Sequence, residues 1–418
     1  MSFEITGPKT VVIPHFYFVA KVLDNAVEVP PPTLTVISGS AESGRKRLNL
    51  RSVNWKVTRM GHNLRTVDWN VTTMGRSFSW EFDYLSANYD GLRFAVRIYL
   101  ALRIIQKIYY PILAVAGFPV NLVTIVILSR GTCGLSKCVT HYLVAMAAAD
   151  LLVVIIDLIL RQIPIAYFEH FVFLYDIRVC NIQAALLYAA TDCSVWFTVT
   201  FTFDRFVAIC CQKLKTKYCT EKTAAVILGT VTVLSCLKNI TWYFMLSSGY
   251  NLGNIPWFCA VDSHISASQV WGAIELLHYI LTPGVAFVLI LLLNVLIVRH
   301  IVVANRARRR LRDHSSEERP SDPEITSRRK SIILLFVISG NFMLLWAMFM
   351  LYSIWMRVLG FTDPTVLPPV ALMELGFMLQ LLSCCTNTCI YAVTQTKFRE
   401  QLKNMLKYPF TLIVKIIK

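Results

Sequence analysis

The sequence predicts an all-α membrane protein, a seven-transmembrane helix bundle followed by a short amphipathic helix. Three observations predict it. The chain is 418 residues long and 56% hydrophobic, with a mean hydropathy of +0.55, more apolar surface than a soluble fold hides. Seven apolar stretches of spanning length follow one another between residues 101 and 395. Positive charge gathers in alternate loops between them.

The spans fall at 104–130, 139–161, 177–210, 223–247, 267–302, 329–357 and 367–394. Each is long enough to cross a hydrocarbon core of ~30 Å as a helix. The net charge is +16, and its placement matters more than its sum. Lys213, Lys215, Lys217 and Lys222 lie between spans three and four. Arg306, Arg308, Arg309, Arg310, Arg312, Arg319, Arg328, Arg329 and Lys330 lie around the loop between five and six. Residues 248–266 and 358–366 hold no Lys or Arg. Positive loops stay in the cytoplasm, so the N-terminus is expected outside and the C-terminus inside. Because the basic runs alternate with spans, they point to anionic lipid and to partners at the inner face, not to nucleic acid.

Residues 1–95 are read as a poorly ordered N-terminal extension, 96–406 as the membrane domain and 407–418 as a short basic tail. The extension shows no signal-peptide apolar core. It contains a tandem repeat with a period of 14 residues, Arg51 to Gly61 and Arg65 to Gly75. Two copies are too few for a solenoid. The repeat reads as a loose ectodomain or as an artefact of gene reconstruction over repetitive DNA. Asn70-Val71-Thr72 is a glycosylation acceptor if the segment is exported.

Of 12 cysteines, most lie inside spans and act as small hydrophobes. Cys133, Cys138, Cys210 and Cys211 fall at the inner side, where thiols stay reduced. Cys180 and Cys259 fall on the outer side, which permits a disulfide; pairing would pin the loop after span four over span three.

Span three carries the most informative pattern. From Cys180 to Arg205 is 25 steps, ~37 Å of helix. Asp204-Arg205-Phe206 therefore stands at the inner face, where a fixed charge pair needs a reason. Asp150 sits mid-bilayer in span two. Asn121, Ser194, Ser383 and Asn387 carry the amides and hydroxyls able to converge on it. Two readings stay open there: a carboxyl satisfied by hydrogen bonds alone, and an oxygen site for a hard monovalent cation. Asp157, Glu275 and Glu374 are ionisable groups in the outer halves of spans two, five and seven. Asp157 and Glu275 are expected to line a wet cavity, and Glu374 to reach the headgroups.

Gly117-Phe118-Pro119-Val120-Asn121, Asp150, Cys180, Asp204-Arg205-Phe206, Pro283, Trp346 and Asn387-Thr388-Cys389-Ile390-Tyr391, in this order, resemble the rhodopsin-like (class A) G-protein-coupled receptors. Tyr109-Tyr110-Pro111 and Ala147-Ala148-Ala149-Asp150-Leu151 look most like the orphan branch typified by probable G-protein coupled receptor 139.

The resemblance implies a plasma-membrane receptor that engages a heterotrimeric G protein, with Gq favoured, through Asp204, Arg205 and Phe206. It implies activation switches at Trp346, Asn387 and Tyr391, and a Cys180–Cys259 disulfide. It places an extracellular ligand, a small aromatic molecule or a peptide, near Asp157, Leu187, Glu275, Trp346 and Phe349. It implies sodium as an allosteric modulator at Asp150, Ser194, Ser383 and Asn387, and no other cofactor. Amine receptors of this type carry an Asp where Leu187 stands, so a biogenic amine is not expected.

Some positions depart from the family. Met348 and Thr388 stand where Pro is usual, so spans six and seven are expected to be straighter, or to bend elsewhere. Leu291 replaces a common Tyr, span four lacks its mid-span Trp, and Arg328 and Arg329 replace any acid at the start of span six.

No nucleophile–base pair or phosphate-binding glycine loop points to an enzyme. A secondary transporter would show symmetry between halves, and none is evident. A signalling-impaired scaffold that retains the fold is the remaining rival.

Overall fold

A computed structural model describes residues 94–167, 176–252, 255–261, 268–312, 323–355 and 370–417, together with two strands near the N-terminus. Seven helices are long and apolar enough to cross a membrane: Ala101–Ser129, Lys137–Ala166, Ile177–Cys210, Glu221–Phe244, Gln269–Ala307, Ser331–Ile354 and Ala371–Thr394. These are spans one to seven below. Their edges lie within five residues of those read from hydropathy.

Helix starts follow local chemistry. Ser136 caps span two and Asp176 caps span three, each accepting a backbone N–H with its side chain. Thr220 does the same for span four. Such caps satisfy donors that the first turn leaves free. Because Ser136 starts the helix, Cys138 belongs to span two and is buried there, not placed in the inner loop.

Two spans depart from α geometry. Span two has a π-type stretch at Val154–Gln162. Span five has another at Ile280–Val285, where Thr282 adopts φ −136° and ψ 109° just before Pro283. Proline removes a helical donor, so a break there is expected. Spans six and seven, which lack the usual prolines, run as uninterrupted α-helix within Pro323–Ile354 and Val370–Thr394.

The lower core packs Tyr142, Leu143, Phe201, Leu335, Ile338 and Tyr391 from spans two, three, six and seven. A second cluster joins spans one, two, three and seven, and includes Leu187. A third, around Trp346, Phe342 and Phe349, joins spans three, five and six. Many large apolar side chains stay exposed on the outer surfaces of the helices, Val115, Val226 and Val288 among them, as lipid-facing surfaces require.

Between spans four and five, β1 (Leu246–Leu252) and β2 (Ile255–Val261) form an antiparallel pair with Ser248 opposite Cys259. In the repeat region, Trp55–Val57 and Val67–Trp69 also pair antiparallel, Trp55 opposite Trp69. The rest of the repeat, Asn70 included, lies outside the described residues. After span seven a helix covers Thr396–Ile417, so helix continues into the segment read as tail.

Candidate functional site

The central site grows from spans two, three and seven. Asp150 is buried mid-span. Ser194 Oγ donates to Asp150 Oδ1 at 2.6 Å, and Asn387 Nδ2 donates to Oδ2 at 2.6 Å. A small cavity opens beside the carboxylate. Asp150, Ser194, Ser383 and Asn387 line it, together with Trp346, Thr198 and Asn341. Ser383 does not bond Asp150. It accepts from Trp346 Nε1 at 3.0 Å and donates to the Gln380 carbonyl at 2.7 Å. Trp346 is thereby tied to the rim of the polar cavity.

Asn121 takes a different part from the one expected. Its amide donates to the Gly117 and Cys384 carbonyls, stitching span one to span seven. Asn341 was not foreseen. It exchanges hydrogen bonds with Thr386, linking spans six and seven at the cavity. A lone Asn in the apolar run of span six was its one sequence signal.

The donor set suits a hard monovalent cation. Carboxylate, hydroxyl and amide oxygens share one cavity, and hard cations take oxygen ligands. Ser194 bonds one Asp150 oxygen and Asn387 the other, and a carboxylate has about four lone-pair sites, so donor bonding and cation binding are compatible.

The inner site stands at the end of span three. Arg205 pairs with Asp204, Nε to Oδ2 at 3.0 Å and Nη2 to the same oxygen. Arg205 Nη1 reaches Ser331 Oγ of span six at 3.2 Å. Span six thus contributes a hydroxyl just past Arg328 and Arg329, which stand where an acid is often found. Two thiols surround the same aspartate: Cys138 Sγ donates to Asp204 Oδ1 at 3.2 Å and Cys219 Sγ to the Asp204 carbonyl at 3.7 Å. Burial, then the negative charge of Asp204, pushes the Cys219 thiol up to about 12. Ser331 and Cys219 were not singled out from sequence, and Cys138 was read there only as a reduced inner thiol, because each gains its part only beside Asp204. Phe206 packs on Phe203 at 6.2 Å. Tyr391 is buried and meets Phe398 edge-on at 5.8 Å.

The outer half holds the expected ligand-lining residues. Phe349 meets Trp346 edge-on at 5.8 Å. Leu187 is buried against spans one, two and seven. Glu275 accepts from Trp271 Nε1 at 3.2 Å. Asp157 differs from expectation: it is buried and already accepts from Arg161 at 2.9 Å and Gln162 at 3.2 Å. Glu374 also turns inward, taking Gln106 Nε2 at 2.5 Å, because a buried partner in span one outweighs the reach to headgroups. Span four lacks a mid-span Trp, yet Trp242 at its outer end is fully buried and stacks on Tyr188 at 3.9 Å.

Cys180 is disulfide-bonded. The side chain of Cys259 lies outside those described, so its expected role as partner stays with the proposals below.

Seven spans around a polar centre, with a charge pair closing the inner end of span three, define a seven-helix membrane receptor fold. The sequence pattern of the 7 transmembrane receptor (rhodopsin family) matches residues 120–391. The chain belongs to that family, which comprises receptors and not enzymes, and it is a multi-pass membrane protein. It is similar to the FMRFamide receptor of Drosophila melanogaster, 26% identical over 210 residues, covering 48% of this chain and 38% of that protein. It is also similar to probable G-protein coupled receptor 142 of Mus musculus, 34% identical over 117 residues, covering 26% of this chain and 27% of that protein. The chain therefore spans well under half the length of these relatives.

Proposed function

We propose that this protein is a plasma-membrane receptor, N-terminus outside, that passes the binding of an extracellular ligand to a heterotrimeric G protein, Gq first among the candidates. One observation carries the reading. Arg205 is held between Asp204 and Ser331. Parting of the inner ends of spans three and six breaks the Ser331 contact, and the guanidinium, still beside Asp204 on its own helix, turns its remaining N–H donors to a partner. Asp204 and Phe206 complete the coupling surface.

The remaining roles follow from the same geometry. Sodium binds in the cavity of Asp150, Ser194, Ser383 and Asn387 and stabilises the closed bundle. Trp346, Asn387 and Tyr391 report ligand occupancy downward, since Trp346 bonds the cavity rim at Ser383 and Asn387 bonds Asp150. Cys180 pairs with Cys259 and holds the outer hairpin over span three. The ligand is a small aromatic molecule or a peptide, resting on Trp346 and Phe349, with Leu187, Glu275 and Asp157 around it.

A second reading has its own support. Spans six and seven are unbroken α-helix with Met348 and Thr388 in place of Pro, which favours a signalling-impaired scaffold. The discriminating experiment measures nucleotide exchange on purified G proteins, Gq included, by membranes containing the full chain. The addition of biogenic amines, aromatic amino acids and short peptides in turn completes it. Exchange above that of empty membranes supports the receptor. No exchange with any G protein or ligand supports the scaffold.

A further inference from the structure

We propose that Arg161 anchors a carboxylate of the ligand, an inference that rests on the ligand-activated receptor reading above. Asp157 and Arg161 both lie on the π-type stretch Val154–Gln162 of span two. Such widened turns recur at functional sites because they re-aim side chains. Here the turn aims a cation into the bundle. The Arg161 guanidinium carbon lies 5.8 Å from the ring centroid of Phe377, on span seven. An arginine that snorkelled to the headgroups would turn away from the neighbouring helices instead.

The ion pair is unequal. The Asp157 side chain is 4% exposed and that of Arg161 is 36% exposed. Asp157 is therefore the holder: its Oδ1 accepts from Arg161 Nη1 at 2.9 Å and from Gln162 Nε2 at 3.2 Å. Among the described residues, Asp157 alone accepts a hydrogen bond from the guanidinium. A guanidinium has five N–H donors, so most of the fork remains available. A planar fork fixed in direction, with one edge open, matches a carboxylate with two parallel hydrogen bonds.

The surroundings define the rest of the ligand. Phe377 meets Phe349 at 5.5 Å, and Phe349 meets Trp346 at 5.8 Å. An aromatic row thus runs from the cation toward the floor at Trp346. The group that fits is an acid with an apolar or aromatic body: a small carboxylic acid, or the free C-terminus of a peptide. A peptide with an amidated C-terminus lacks the charge that Arg161 would take.

The test uses the full chain in lipid nanodiscs at constant ionic strength. Thermal unfolding is followed with benzoate against benzamide, and with the tripeptide Gly-Gly-Phe against its C-terminal amide. The variants are Arg161→Lys and the charge-neutral double change Arg161→Gln with Asp157→Asn, which strands no buried charge. The acid of at least one pair is expected to stabilise the wild type more than its amide does. That difference is expected to vanish in the double variant. Arg161→Lys is expected to keep it with about tenfold weaker half-saturation, since a point charge replaces a fork. Preference confined to the peptide pair assigns the group to a C-terminus, and preference confined to benzoate assigns it to a small acid. Equal effects of acid and amide in both pairs overturn the proposal, as does an acid preference that survives in the double variant. Nucleotide exchange by the same wild-type preparation decides the receptor reading separately, because basal exchange needs no carboxylate.

Discussion

Lys238 of span four and Asp192 of span three form an ion pair inside the membrane, Nζ to Oδ2 at 2.5 Å. Asn239 Nδ2 donates to the same oxygen at 2.6 Å. Lys238 also reaches Thr282 Oγ1 of span five at 3.3 Å, and Trp196 Nε1 donates to that hydroxyl at 2.9 Å. The pair therefore ties three spans together beside the break at Thr282.

The two partners are not equally dispensable. Asp192 has a side chain 1% exposed, while that of Lys238 is 30% exposed. If Asp192 loses its partner, its carboxylate has no route to water; if Lys238 loses its partner, its long stem can carry the ammonium outward. Lys238→Met is expected to destabilise by about 3–5 kcal/mol, and Asp192→Leu by less. The double change is expected to recover most of the loss, because no charge is left stranded. Unfolding midpoints in detergent check this. Equal losses in both single variants, or a fully additive double, would contradict it.

The sodium assignment makes a separate prediction. Sodium should raise the unfolding midpoint relative to choline at equal ionic strength, because a ligand bound only by the folded state stabilises it. Asp150→Asn should abolish the difference, and Ser194→Ala should reduce it. A midpoint indifferent to the cation in the wild type would leave Asp150 satisfied by Ser194 and Asn387 alone.

Cys219 offers a probe of the inner site. A thiol pushed up to about 12 stays protonated at pH 8, and the thiolate is the nucleophile, so alkylation should be about a thousandfold slower than for an ordinary thiol. Asp204→Asn removes the nearby negative charge and should speed it. Residue-resolved mass spectrometry after iodoacetamide treatment reads both. Reaction at the rate of a free cysteine would mean that Cys219 does not sit against Asp204.

The seven spans, the Asp150–Asn387 contact and the Asp204–Arg205 pair were legible in the sequence. Length and charge placement set the first, the need of a mid-bilayer carboxylate for polar partners on neighbouring spans pointed to the second, and adjacency on one helix set the third. Asp192 and Lys238 were not legible. Each is a lone charge in an apolar run, 46 positions apart, and nothing in one dimension says that they share a depth. Opposite charges at matching depths in adjacent spans would have been the signal. Arg161 escaped for another reason. A cation near a span's outer end reads as one that reaches the headgroups, and only the π-type turn directs it toward Phe377. Asn121 was placed on the right helix but on the wrong partner: its amide donates to the Gly117 and Cys384 carbonyls instead.

The central claim is that this bundle activates a G protein through Arg205, and the most direct measurement is nucleotide exchange on the purified G protein by the wild type and two variants. Asp204 holds Arg205 in the closed arrangement, so Asp204→Asn should raise basal exchange. Arg205→Ala should cut exchange at least tenfold at unchanged surface expression, as loss of a charge-assisted contact of ~1.4 kcal/mol or more implies. Undiminished exchange by Arg205→Ala, with the protein correctly inserted, would contradict the account.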